Sequence, residues 1–109
     1  MPTLLQQRDE ARRRQRLQLY EHTRQRLRES LVELIPGERV IVFGSLTRPG
    51  RFNDASDIDL ALEHEPRGIS SGRLMSELSE RLGRPVDVVL LGRCRFRDRI
   101  LQEGEVWSS

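Results

Sequence analysis

Three short apolar runs, Arg39–Phe43, Asp57–Glu63 and Val86–Leu91, limit what this chain can fold into. Each is too short for a stable helix and rich in Val, Ile or Leu, which reads as a buried strand. The segments between them differ. Gly44–Ser56 carries the turn residues Pro49-Gly50 and Asn53-Asp54, so it is irregular or opens with a single helical turn. His64–Gly68 is a loop. Ser70 or Ser71 then caps a helix with Leu74, Met75, Leu78 and Leu82 on one side and Gly83 just past its end. Phe96 and Ile100, four apart, mark a short last helix that stops at Gly104, and Glu105–Trp107 offers a further edge strand. Ahead of all this, Thr3–Ile35 reads as one long helix, capped by Thr3 and ended by Pro36-Gly37. Its apolar face is Leu17, Tyr20, Leu27, Leu31 and Leu34. Strands alternating with helices give an α/β chain with a small β-sheet. The 109 residues suit one domain, with residues 1–35 its N-terminal helix and 39–107 its core.

The chemistry gathers where those runs begin and end. The first run finishes at Gly44-Ser45, where free backbone N–H groups at a turn can meet a phosphate. After eleven intervening residues the second run opens with Asp57-Ile58-Asp59. Residues i and i+2 of a strand face the same way, about 6.6 Å apart, so this pair can grip divalent cations. Hard cations such as Mg²⁺ take carboxylate oxygens and complete their shell with water and phosphate. Asp87 lies inside the third run, a costly position to bury unless paired, metal-bound or at a sheet edge. Each element alone is ordinary: Asp-x-Asp is usually a solvated strand end, and Gly-Ser a common strand-to-helix turn. Together they suggest a site for Mg²⁺ and a nucleoside triphosphate.

Other features exclude or add little. With Cys94 as the only cysteine, no disulfide can form within the chain. No apolar run approaches the roughly 18 residues of a membrane span. The N-terminus lacks the apolar core of a signal peptide, so a cytoplasmic location is expected. His22 and His64 do not suggest a zinc site, Tyr20 reads as a packing residue, and Trp107 as a core or interface anchor. All 19 basic residues are Arg, foremost a compositional bias. Arg8, Arg12, Arg13, Arg14 and Arg16 crowd the first half of the long helix, which projects or frays. They read as a solvated face with pairs such as Asp9–Arg13 and Glu10–Arg14, so direct RNA binding is not expected.

The ordered set of Gly-Ser after a strand, Asp-x-Asp on the next and a lone Asp on a third resembles the nucleotidyltransferase superfamily that includes DNA polymerase beta. More closely, it resembles the minimal nucleotidyltransferases, across about Arg39–Trp107. Their spacer between Ser and Asp-x-Asp is usually ten residues. Here Leu46–Ser56 is eleven, with Arg48-Pro49-Gly50 where Arg-Gly is common. One more residue in an irregular loop costs little. The resemblance implies a nucleotidyltransferase fold, with a small mixed sheet flanked by helices. It implies that Asp57, Asp59 and Asp87 are catalytic and hold metal, two Mg²⁺ ions being expected, and that Gly44, Ser45 and Arg48 bind the nucleotide.

Many minimal nucleotidyltransferases pair with a HEPN-fold RNase as antitoxin and toxin, transferring AMP from ATP to a tyrosine hydroxyl of the toxin. That is the function the resemblance implies, with a HEPN toxin as partner and ATP as substrate. Two alternatives stay open: a binding module that neutralises its partner by contact, and a small-molecule nucleotidyltransferase working as a homodimer. The acceptor, the nucleotide preference and the oligomeric state are not fixed by sequence.

Overall fold

The computed structural model describes all residues, 1–109. Helix α1 spans Leu4–Leu34, followed by strand β1 (Arg39–Phe43), a 3-10 turn (Gly44–Thr47) and β2 (Ile58–Leu62). Helix α2 (Ser71–Leu82), β3 (Val86–Leu90), helix α3 (Arg97–Glu103) and β4 (Glu105–Ser108) complete the chain. The four strands form one mixed sheet in the order β3-β2-β1-β4. β2 and β3 run parallel, joined through α2, while β1 pairs antiparallel with both β2 and β4.

Local signals set the element ends. Thr3 and Gln6 form a reciprocal capping box, with Oγ1 of Thr3 accepting from Gln6 N at 3.1 Å and Oε1 of Gln6 accepting from Thr3 N at 2.8 Å. Ile35 caps the other end of α1, because a residue before proline disfavours helical geometry. Ser70 caps α2 by accepting from Arg73 N, and Gly83 ends it in the left-handed region at φ +66°.

Alternation along the strands builds two apolar layers. Val40 and Val42 of β1, Ile58, Leu60 and Leu62 of β2, and Val86 of β3 face α1 and α2, where Leu27, Leu31, Leu74 and Leu78 close the main core. Ile41 and Ala61 face the other way, against Ile100 of α3 and Leu91. Gly104 is needed here: a Cβ would strike Cγ2 of Ile41 and the carbonyl of Ile100.

The first half of α1 packs against nothing in this layer. Residues 1–18 are all exposed, and burial begins at Leu19 and Tyr20. Leu17, expected on the packed face, is 43% exposed. At about 1.5 Å per residue α1 is far longer than the five-residue strands it crosses, and the molecule measures 55 × 28 × 20 Å.

A charged clamp joins α1 to β4 and to the turn after β1. Arg24 donates through Nη1 to the Leu46 carbonyl at 2.8 Å and through Nη2 to Oε2 of Glu105 at 2.7 Å. Nε1 of Trp107 donates to the same carboxylate oxygen at 3.1 Å. The guanidinium groups of Arg24 and Arg28 lie 5.0 and 4.4 Å from the Trp107 ring. The irregular spacer has its own anchor. Phe52 is fully buried edge-on to Tyr20, and Arg84 covers its ring while donating to the Asn53 and Ser56 carbonyls.

Hydrogen bonding to Arg24, foremost, with Trp107 and the Arg24 and Arg28 charges adding, holds the Glu105 carboxyl below its ordinary 4.5. A lowered pKa stabilises the fold above the ordinary value and loses that contribution as pH falls through the folded value. Glu105→Gln should therefore cost about 1 kcal/mol at neutral pH, a figure reduced for partial exposure. Thermal melts should show the gap to wild type closing as pH drops through the carboxylate range.

Candidate active site

The site begins where β1 ends. Gly44 takes φ +75°, and a Cβ built on it would collide with Oδ2 of Asp59. Glycine is thus required twice, for the left-handed turn and for the close approach of backbone to carboxylate. The turn that follows is held by three contacts. Leu46 is fully buried, Thr47 Oγ1 donates to the Gly44 carbonyl at 2.7 Å, and Arg48 N–H closes it onto Ser45 O at 3.1 Å. Ser45 Oγ lies 3.4 Å from the Asp57 carbonyl, so the Gly-Ser turn rests directly on the Asp-x-Asp segment.

Strand register supplies the rest. Phe43 is paired with Asp59, and Asp59 with Asp87, so one row crosses the sheet from β1 to β3. Asp57 falls one residue before the first paired position of β2 rather than inside the strand, and is exposed. Asp59 is half-buried. Asp87 is exposed because β3 is an edge strand, which removes the burial cost that its apolar neighbours suggested.

These carboxylates oppose one another. Burial first, then the charges of Asp87 and Asp57, raise the Asp59 pKa above its ordinary value. As the side chains lie, no three His, Cys, Asp or Glu groups stand close enough together to hold a metal ion. An open, mutually repelling set suits a hard cation such as Mg²⁺, which keeps several waters and shares its shell with phosphate. Asp57, Asp59 and Asp87 are the residues that could hold it, and Gly44 and Ser45 offer donors to a phosphate beside them. Arg48 contributes its backbone to the turn. Its side chain is exposed and makes no ion pair, and nothing draws it toward the carboxylate row.

The sequence reading missed the opposite wall. A cleft of about 420 Å³ separates Asp59 and Asp87 from α3, with Phe96, Arg99 and Glu103 along one side. Phe96 and Ile100 stand four apart at the last helix. Ile100 is buried, whereas Phe96 is 63% exposed at the cap of α3. Their spacing of four was legible, but not which of the two the sheet would cover. A larger polar groove, about 810 Å³, runs between the first half of α1 and Asn53-Asp54 and includes none of the candidate residues.

A raised carboxyl pKa means stability that is present at acid pH and lost as pH rises through the folded value. Asp59→Asn removes the opposing charge, so it should raise the melting temperature of the metal-free protein at neutral pH, with the gain vanishing at acid pH. Adding Mg²⁺ should stabilise the wild type and leave this variant unmoved. Melts with and without Mg²⁺ across pH check all three.

The family "Polymerase beta, Nucleotidyltransferase" matches residues 25–109. A crystal structure of a toxin-antitoxin with AMP-PNP superposes with a TM-score of 0.59 at 24% identity, covering 78% of this chain and 73% of that one. A crystal structure of the toxin-antitoxin MntA-HepT gives a TM-score of 0.56 at 21% identity, over 82% of this chain and 73% of that one. At these identities the likeness establishes the fold alone. No curated protein sequence matches. The family match takes in β1 to β4, the Gly-Ser turn and every candidate carboxylate, and on that ground the chain belongs to the polymerase beta nucleotidyltransferase family.

Proposed function

We propose that this protein is an antitoxin that transfers AMP from ATP to a tyrosine hydroxyl of a HEPN RNase toxin, with Mg²⁺ as cofactor. The observation that carries the transfer reading is the single row Phe43–Asp59–Asp87, with the backbone of the next residue, Gly44, against the central carboxylate. The partner reading is supported by the resemblance to minimal nucleotidyltransferases and by the fold shared with two toxin-antitoxin structures.

In this reading the chain's own groups divide the work. Gly44 and Ser45 hold the triphosphate through N–H and hydroxyl donors, which also orients the leaving pyrophosphate. Asp57, Asp59 and Asp87 would hold Mg²⁺, which when bound neutralises charge on the transferring phosphoryl group. The acceptor oxygen forms a bond to the α-phosphorus as the bond to pyrophosphate breaks. Asp87, exposed on the edge strand, is open to an incoming hydroxyl and able to take its proton.

A contact role has one observation in its favour. Residues 1–18 stand clear of the body, and Arg8, Arg12, Arg13, Arg14 and Arg16 make no ion pair within the chain. The two readings separate in a transfer assay with α-labelled ATP and the protein encoded alongside. Asp57→Asn and Asp59→Asn should each reduce label transfer by about 10³-fold, as expected for losing several kcal/mol of charge stabilisation. Both variants should still co-elute with the partner. Undiminished transfer refutes the catalytic assignment, and neutralisation without ATP or Mg²⁺ favours contact.

Gly44→Ala gives a separate check. A non-glycine residue at that φ costs about 1–2 kcal/mol, and the added Cβ must displace the Asp59 carboxylate. Transfer should fall at least as far as for Asp59→Asn, while melting shifts by only several degrees.

A further inference from the structure

The cleft beside the carboxylates is lined by polar groups, Asp59, Asp87, Arg99 and Glu103 among them, and by apolar ones, Phe43, Val89, Cys94, Phe96 and Ile100. Val89 and Cys94 also pack against the Ile41, Ala61, Leu91 and Ile100 cluster, whereas Phe96 does not. On the floor, Val89 follows Asp87 by two residues and faces the same way, about 6.6 Å further along β3. In the wall, Phe96, Arg99 and Glu103 fall at helical spacing. The Phe96 N–H donates to Sγ of Cys94 at 3.4 Å, a local bond at the start of α3. A ring as exposed as Phe96 at the mouth of a polar site is out of place as packing, because it buries little apolar surface.

Direction follows from the chemistry, given the nucleotidyltransferase reading on which this inference rests. In-line displacement puts the attacking oxygen opposite the leaving group. With pyrophosphate at the Gly44 end of the row, the acceptor enters from the Asp87 end, where β3 has no further strand beside it. That end presents Val89, Cys94 and Phe96. The polar wall residues, Arg99 and Glu103, are paired with each other at 3.5 Å. A sugar hydroxyl arriving there would leave its other hydroxyls facing apolar atoms. A flat ring would cover those atoms instead.

We propose that Phe96, with Val89 and Cys94, forms a seat for a planar aromatic group that carries the accepting hydroxyl, setting that hydroxyl against Asp87. Phe96 is then a specificity-determining residue of the acceptor site, with no part in holding the nucleotide.

The test uses the full chain with ATP, Mg²⁺ and three small probes: the N-acetyl amides of tyrosine, serine and phenylalanine. AMP transfer is read by mass, and ring binding by saturation-transfer NMR, which needs no turnover. The expected result is a tyrosine probe used at least tenfold better than serine. Phe96→Ala should raise the KM for the tyrosine probe about tenfold, the worth of one aromatic contact. It should leave the KM for ATP unchanged, and Phe96→Trp should restore the wild-type value. Equal use of tyrosine and serine overturns the proposal. So does a Phe96→Ala effect on the KM for ATP, which would assign the ring to the nucleotide base. If no probe accepts AMP, the NMR decides the seat alone, and the transfer reading is decided by the assay with the partner protein. Saturation of the tyrosine and phenylalanine rings that disappears in Phe96→Ala upholds it, and its absence in wild type refutes it.

Discussion

The candidate site depends on a side chain that is missing. At Gly44 the backbone turns out of β1 through a positive φ and lies against the Asp59 carboxylate, a space no other residue leaves open. This contact brings the donors of the turn and the acids of the neighbouring strand into one row. The turn is not free to drift from that position. Leu46 is buried beneath it, and the Leu46 carbonyl accepts from Arg24, which also grips Glu105 on the far edge of the sheet. One arginine therefore ties the turn after β1, the first helix and the last strand together. Its planar fork of donors suits it to this, where a lysine would reach one partner at a time.

Against that rigid frame, the carboxylate row is a local conflict. Asp59 sits between Asp57 and Asp87, partly withdrawn from water, and its acidity is weakened as a result. Residues kept where they oppose folding are a mark of function. The stability that permits this comes from the other face of the sheet, where Val40, Val42, Ile58, Leu60 and Leu62 meet two helices. Alternation along β2 thus sends Ile58 and Leu60 to the core and Asp59 to the site, so one five-residue strand serves both.

Much of this was legible beforehand. β1 matched its expected bounds, Thr3, Ser70 and Gly83 capped as their chemistry predicts, and Glu105–Trp107 did become an edge strand. The carboxylate row followed from the motif order, although Asp57 proved to lie just outside its strand. What could not be read depends on partners distant in the chain. Phe52, in a turn-rich spacer, is buried only because Tyr20 and Arg84 arrive from elsewhere. Leu17 has the right helical spacing but lies beyond the sheet's reach. Phe96 and Ile100 share a face by periodicity, yet the sheet has room beneath only one of them. Arg48, assigned to the nucleotide by resemblance, is exposed, and its backbone N–H closes the turn onto Ser45 O.

The central claim is that Gly44, Ser45 and the three Asp residues form one site for metal and nucleotide. Diffraction from crystals grown with Mn²⁺ and a non-hydrolysable ATP analogue tests it most directly, since the anomalous signal locates the metal independently of the chain. Mn²⁺ should be bound to carboxylate oxygens of Asp57 and Asp59, and the triphosphate should lie on the Gly44-Ser45 turn. Mn²⁺ or nucleotide seated elsewhere, for example in the polar groove along the Arg12–Arg16 stretch of α1, with the carboxylate row unliganded, would contradict it.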